Sequence, residues 1–207
     1  MAATEQRLID AATRLFIRHG YQGTTLAAVA AEAGLAARTV YLRFGTKAAL
    51  FRRVMGVAVA GDTDPVDVAH RDWFQQALTA SSLDDRLQSM VRGTGGIMSR
   101  LGPLLPVSEQ AAAVEPEIAL AAQAAREVTR DHIRRFWAAA AADGLLTEAT
   151  DLDWLAETVG ILVAADTYLH GVRTHSWGLE EYEQWLLATC HRLVAAAAVD
   201  QSGAPRP

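Results

Sequence analysis

The chain has 207 residues, 51% hydrophobic and 21% charged, with 19 basic against 24 acidic side chains. This composition excludes a disordered polymer and leaves room for one large domain or two modest ones, each with a core. A single cysteine, Cys190, excludes an internal disulfide, and the apolar runs from Phe136 and Val159 fall well short of a membrane span.

In chain order, the opening MAATEQRL lacks the basic stretch and apolar run of a signal peptide, so a cytoplasmic protein is expected. From Glu5 to His19, Leu8, Ala12, Leu15 and Phe16 repeat at the spacing of a buried helical stripe, with Thr4 as N-cap and Gly20 as stop. A second helix, Leu26–Ala33, buries Leu26, Val29 and Ala30 behind a Thr25 cap and ends at Gly34. A third, about 36–44, buries Val40 and Phe44. Gly45 breaks it, Thr46 caps, and a longer helix starts at Lys47. The stretch GDTDPVD, 61–67, marks a loop. Further helices are expected at about 83–101, 103–113, 115–142, 151–174 and 178–199, with no strand signal anywhere.

Charge is unevenly spread along these elements. Residues 1–53 hold eight of the basic side chains, including Lys47, the only lysine, against Glu5, Asp10 and Glu32. A basic head on an acidic body suits a polyanionic partner, although solvated surface charge gives the same count. Two short helices about a glycine turn are the helix-turn-helix arrangement, whose second helix enters a major groove. Its outer face would present Ala36, Ala37, Arg38, Thr39, Leu42 and Arg43, with Tyr41 at the margin. Arg38 suits a forked contact to guanine, Ala36 and Ala37 a thymine methyl, and Thr39 a base or phosphate. Thr25, at a helix N-terminus, suits a phosphate. Lys47 sits in a first helical turn, where the dipole disfavours a cation unless an anion is near.

These residues carry a resemblance. From Arg7 to Phe51 the chain resembles the N-terminal domain of the TetR family of transcriptional regulators. The resemblance rests on the first-helix glycine followed by Tyr21, the pair Thr24–Thr25, the Ala33–Gly34 turn, the Thr39–Val40–Tyr41 core, Phe44 and Lys47. It implies phosphate contacts for Thr25, Tyr41 and Lys47, and base contacts for Arg38 and Thr39. Leu42 and Arg43 stand where a histidine or other aromatic is common, and Ala48 where glutamate is frequent. Such departures alter the site read and leave the mode of binding unchanged.

The expected organisation is therefore all-α: a DNA-binding domain over 1–52, a larger ligand-binding and dimerisation domain over 53–200, and a disordered tail over 201–207. In the body, Met90, Met98, Phe136, Trp137, Trp154 and Tyr168 are candidate walls for a small-molecule pocket, with His132, Asp166 and His170 as polar handles. Gly93, Gly95 and Gly96 are costly in a helix, which points to close approach, a kink or a break. Tyr182, Leu186, Thr189, Leu193 and Ala197 step by four and three like a helix-pairing seam that Trp185 and Leu162 extend. In the family the last two helices pair into a four-helix bundle, so a homodimer and a palindromic operator are expected. No catalytic, metal or cofactor pattern appears: His170 and His175 are five apart, Cys190 and His191 point apart, and GTGG follows no strand. The reading is a ligand-responsive repressor and not an enzyme. Its alternative is a helical small-molecule-binding protein or enzyme without operator binding.

Overall fold

The computed structural model describes residues 2–64 and 66–199; among them only helices and turns occur. The tail over 201–207 lies outside the described residues. Eleven α-helices follow one another: α1 Ala2–Gly23, α2 Leu26–Glu32, α3 Ala37–Phe44, α4 Lys47–Ala60, α5 Asp72–Thr79, α6 Leu83–Leu101, α7 Leu105–Ala112, α8 Pro116–Ala142, α9 Leu152–Leu162, α10 Ala165–His175 and α11 Leu179–Val199. Contacts divide them into two compact units, one up to Val66 with Ser99–Ala125, the other Asp67–Met98 with the described residues from Arg126 on. These packing units are not a linear cut near residue 52, because α7 packs in the first unit against α1.

In the first unit, α1 buries Leu8, Ile9, Ala11, Ala12, Leu15 and Phe16, the stripe its spacing predicts. The helix is already under way at Thr4, which is therefore not its cap. At Gly20 the backbone leaves the helical region (φ 72°), and Thr24 Oγ1 donates to the Gly20 carbonyl at 2.9 Å, satisfying an acceptor next to the kink. Thr25 caps α2 by accepting from the Ala28 N–H at 3.1 Å, and Thr46 caps α4 by accepting from Ala49 at 3.0 Å. Gly34, at φ 65°, closes α2 with paired hydrogen bonds, Gly34 N–H to Ala31 and Leu35 N–H to Ala30. Phe16, Tyr21 and Phe51 form an aromatic trio with ring centroids 4.9 to 6.0 Å apart.

The second unit closes around Leu87, Met90, Ile133, Phe136, Trp137, Leu155, Val159, Tyr182, Leu186 and Cys190, all buried. Each such side chain contributes about 1.5–3 kcal/mol by leaving water. Arg86 is buried beneath this unit's surface. Its Nε donates to the Ala80 carbonyl at 2.7 Å and its other end pairs with Asp143, joining the start of α6 to the residue after α8. The glycines of RGTGG lie in an unbroken α6, and Gly93 and Gly95 serve close approach. A Cβ on Gly93 would stand 2.0 Å from the Trp73 ring, and one on Gly95 1.9 Å from a Glu183 carboxylate oxygen.

One expected element divides. The helix expected over 151–174 stops at Val163, and Ala164, extended at ψ 146°, starts α10 as its N-cap. Thr167 Oγ1 donates to the Ile161 carbonyl at 2.6 Å, satisfying an acceptor at the end of α9, while Asp166 lies in the first turn of α10 where its charge suits the dipole.

Candidate nucleic-acid interface

Within the first unit, α3 is short and its only wholly buried side chain is Val40. At about 100° per residue, Arg38 and Leu42 lie about 160° from Val40, Thr39 and Tyr41 about 100° to either side, and Arg43 only about 60° away. The structure follows that wheel. Leu42 is 75% exposed and Tyr41 52%; Ala36, Ala37 and Arg38 are exposed, and Thr39 is half-buried. Ala36 caps α3 without a side-chain hydrogen bond, leaving backbone N–H groups at the helix start beside Arg38. Thr25 is exposed at the start of α2, though its hydroxyl already accepts a capping bond.

The cations of this head are mostly occupied. Arg7 donates to the Ala33 carbonyl at 2.6 Å, Arg14 pairs with Glu32 at 3.1 Å and Arg52 with Glu117 at 3.2 Å. Arg53 pairs with Glu5 at 2.7 Å, and Arg43 closes on the other oxygen of the same carboxylate. Arg43 is exposed, but its guanidinium is engaged by Glu5 and does not stand free on the outer face where the sequence placed it. Burial opposes ionisation of Glu5, but hydrogen bonds and charge from Arg53 and Arg43 outweigh it and hold its carboxyl below the ordinary value. Among the described residues, only Arg18 and Arg38 of the head's arginines and lysine have no hydrogen bond or ion pair.

Lys47 has a partner that sequence did not reveal. Its Nζ donates to the Tyr21 carbonyl at 2.8 Å and stands 4.2 Å over the Tyr21 ring centroid. A carbonyl dipole and a π face thus supply the negative potential that the first-turn position lacks. Tyr21 is the hub: its hydroxyl donates to Glu115 at 3.0 Å, and burial, then that bond, raises its pKa. Glu5, Tyr21 and Glu115 carried no signal of these pairings because their partners lie 38, 26 and 94 residues away along the chain.

Residues 8–54 match the family described as bacterial regulatory proteins, tetR family. Over these residues the chain is similar to the DNA-binding domain of that family. A curated relative, the HTH-type transcriptional repressor SCO4008 of Streptomyces coelicolor, is 31% identical over 81 residues. That match spans 37% of this chain and 41% of the repressor, less than half of its length. Among solved structures, the SmeT–triclosan complex has TM-score 0.69 at 22% identity, covering 99% of this chain and 98% of that one. A TetR transcription regulator from Haloarcula marismortui has TM-score 0.71 at 13% identity, covering 95% and 99%. At these identities the likeness shows the fold alone.

Beyond the matched residues, the expected pocket residues scatter. Met90, Met98, Phe136 and Trp137 are close-packed in the core, while His132, Trp154 and Tyr168 are half-buried. Asp166 and His170 lie on the surface, Asp166 paired with Arg126 at 3.7 Å. The rings of His170 and His175 meet at 5.4 Å despite their five-residue spacing, yet no cluster of three metal-ligating side chains occurs among the described residues. A groove of about 320 Å³ in this unit is lined instead by Trp73, Gln76, Ala80, Asp85, Gln88, Ser89 and Arg92. One buried polar atom in the core stands out: the Trp137 indole N–H has no hydrogen-bond partner.

Part of the expected dimer seam is taken up within this chain. Tyr182 and Leu186 are fully buried in this chain's own core and Ala197 nearly so, with the Tyr182 hydroxyl donating to the Leu162 carbonyl at 3.2 Å. A side chain without exposure in one chain cannot reach a second, so this stripe packs α11 inward, against α9 among others. Leu162, Trp185, Thr189 and Leu193 are half-buried.

Proposed function

We propose that the chain is a ligand-responsive transcriptional repressor, without catalytic activity, that works in the cytoplasm. It binds a palindromic operator as a homodimer and is released by an unidentified small molecule. The observation that carries this reading is Arg38, an exposed and unpaired guanidinium on the outward face of α3, in a head whose other cations are mostly occupied. A forked donor so placed matches O6 and N7 of guanine. Thr39, Tyr41 and Leu42 flank it for base and phosphate contacts, Ala36 and Ala37 present methyl groups, and Thr25 and Lys47 approach the backbone. Lys47 keeps N–H donors beyond the one Tyr21 accepts.

One α3 reads one half-site; two copies about 34 Å apart read a palindrome. Val128 on α8, Ile161 on α9 and Val172 on α10 remain uncovered in one chain, Ile161 at 67% exposure, and support pairing with a second chain that covers them. The SmeT complex with triclosan supports a small-molecule ligand, and the unpartnered Trp137 indole in the second unit supports one with an acceptor atom. Response is carried by helices that run on from that unit. The end of α6 reaches α4 through Arg100, which donates to the Ala58 carbonyl at 2.7 Å, and the start of α8 reaches it through Glu117 and Arg52. A ligand that displaces α6 or α8 displaces α4 and with it α3, and operator binding then weakens ligand binding by the same factor.

Selection of duplexes from a random-sequence pool tests the reading. A palindromic motif bound by two chains is expected, and triclosan, the first compound to try, should raise thermal stability and lower operator affinity if it is a ligand. No enrichment even at low salt, where phosphate contacts are strongest, would leave a helical small-molecule-binding protein.

A further inference from the structure

We propose that Glu5 is a positioning residue for operator readout: its carboxylate sets the roll of α3 by holding Arg43. This rests on the operator-binding reading. Glu5 lies in the first turn of α1, its side chain only 12% exposed, and it serves two helices at once. Oε1 accepts from Arg53 Nε on α4 at 2.7 Å, and Oε2 accepts from Arg43 Nη2 on α3. Arg53 has a second hold, donating to the Thr63 carbonyl at 2.7 Å; among the described residues Glu5 is the only polar partner of Arg43.

The helix so held packs on α2 and touches α4, but few of its own side chains are buried in that packing. Val40 is its one buried side chain, Phe44 is half-buried, and Ala36 offers no side-chain cap. A single apolar anchor resists translation better than roll, and roll swings the long Arg38 side chain across the base edges. Recognition geometry tolerates roughly 10–20° of such error. Glu5 therefore has a sign opposite to that of its charge. Simple repulsion makes an acidic group in a DNA-binding head oppose every duplex, whereas a positioning carboxylate supports the specific one.

The test compares wild type, Glu5→Gln, Arg43→Gln and the double variant. The two probes are the duplex wild type enriches most from a random pool and a scrambled duplex of equal composition. Glutamine keeps one acceptor but turns an amide N–H₂ toward one of the guanidinium groups, so it cannot hold both. Glu5→Gln is expected to lose about tenfold of the preference between duplexes, within what one misaligned bidentate contact carries. Its affinity for the scrambled duplex should rise, with a salt slope steeper by about 0.9 for a freed Arg43. Arg43→Gln should lose a similar preference with the scrambled affinity unchanged, and the double variant should lose no more than either. Glu5→Asp should recover part of the preference. Arg43→Gln leaves Glu5 paired with Arg53, so it carries the test even if Glu5→Gln fails to fold.

Equal gains for both duplexes in Glu5→Gln would make Glu5 a repulsive charge only. Equal losses in Arg43→Gln would make Arg43 a phosphate contact. An unchanged preference in folded variants would make the pair merely structural. Each of these overturns the proposal while operator binding stands. If wild type enriches no duplex, the operator reading fails first and takes the proposal with it.

Discussion

Replacing Lys47 by alanine separates two views of the chain's one lysine. A solvated lysine waiting for DNA contributes nothing to the fold, and alanine, the better helix former, would leave stability unchanged or slightly higher. The structure instead gives Nζ a hydrogen bond of 2.8 Å to the Tyr21 carbonyl and a place 4.2 Å above its ring. Hydrogen bonds to charged groups contribute about 1.5–3 kcal/mol net, and an exposed cation–π contact about 0.5–1 kcal/mol. Lys47 is half-exposed, so water replaces part of what is lost. The expected cost is about 1–2 kcal/mol, or a melting temperature lower by roughly 2–8 °C for a chain of this size. Lys47→Met, which keeps the stem on the Tyr21 ring, should recover part of that cost. Urea unfolding followed by circular dichroism gives both values. If Lys47→Ala is as stable as wild type, the Tyr21 contacts carry no energy, and only the phosphate role remains for Lys47.

Tyr21→Phe removes the hydroxyl that donates to Glu115 at 3.0 Å and should cost about 1–2 kcal/mol in the same assay; no change would remove Tyr21 as a link between α1 and the turn before α8. Gly93→Ala drives a methyl into the Trp73 ring and should lower stability by about 1–3 kcal/mol despite better helix propensity. Gly95→Ala meets the movable end of Glu183, so it should stay within about 1 kcal/mol of wild type, the propensity gain offsetting the displacement. Equal effects at the two glycines would contradict their assignment to different neighbours. Burial, with Arg135 nearby, depresses the His132 pKa below its ordinary 6.5, against the opposing pull of Asp67 and Asp131. The unfolded chain then binds more protons, so this site's stability contribution is present above pH about 6.5 and is lost progressively as pH falls through the unfolded value toward the folded one. His132→Phe should flatten that part of the stability–pH curve; an unchanged curve would show that His132 is not held neutral.

The head was legible in sequence because its structure is written locally. Thr25 and Thr46 cap, and Gly34 and Gly45 take the positive φ that ends α2 and α3. The pairings that set its electrostatics were not, since no periodicity joins Glu5 to Arg43 or Lys47 to Tyr21. In the body, alanine blurs the apolar faces and conceals the break at 163–164. The seam Tyr182–Leu186–Thr189–Leu193–Ala197 has the same spacing whether it faces its own core or a second chain, and the burial of Tyr182 and Leu186 was not legible in it. The glycines of α6 left close approach, a kink or a break open, and the partners of Gly93 and Gly95, Trp73 and Glu183, were visible only in three dimensions.

The central claim is that α3 reads a base sequence through Arg38. Its most direct test is the affinity of wild type and Arg38→Ala for the enriched duplex and for every single base-pair change within one half-site. The account predicts a loss of about 1–3 kcal/mol on the enriched duplex and a relaxed preference at one G·C pair, with the others still read. A uniform loss across all variants would make Arg38 a phosphate contact, and no loss at all would contradict operator readout by this face of α3.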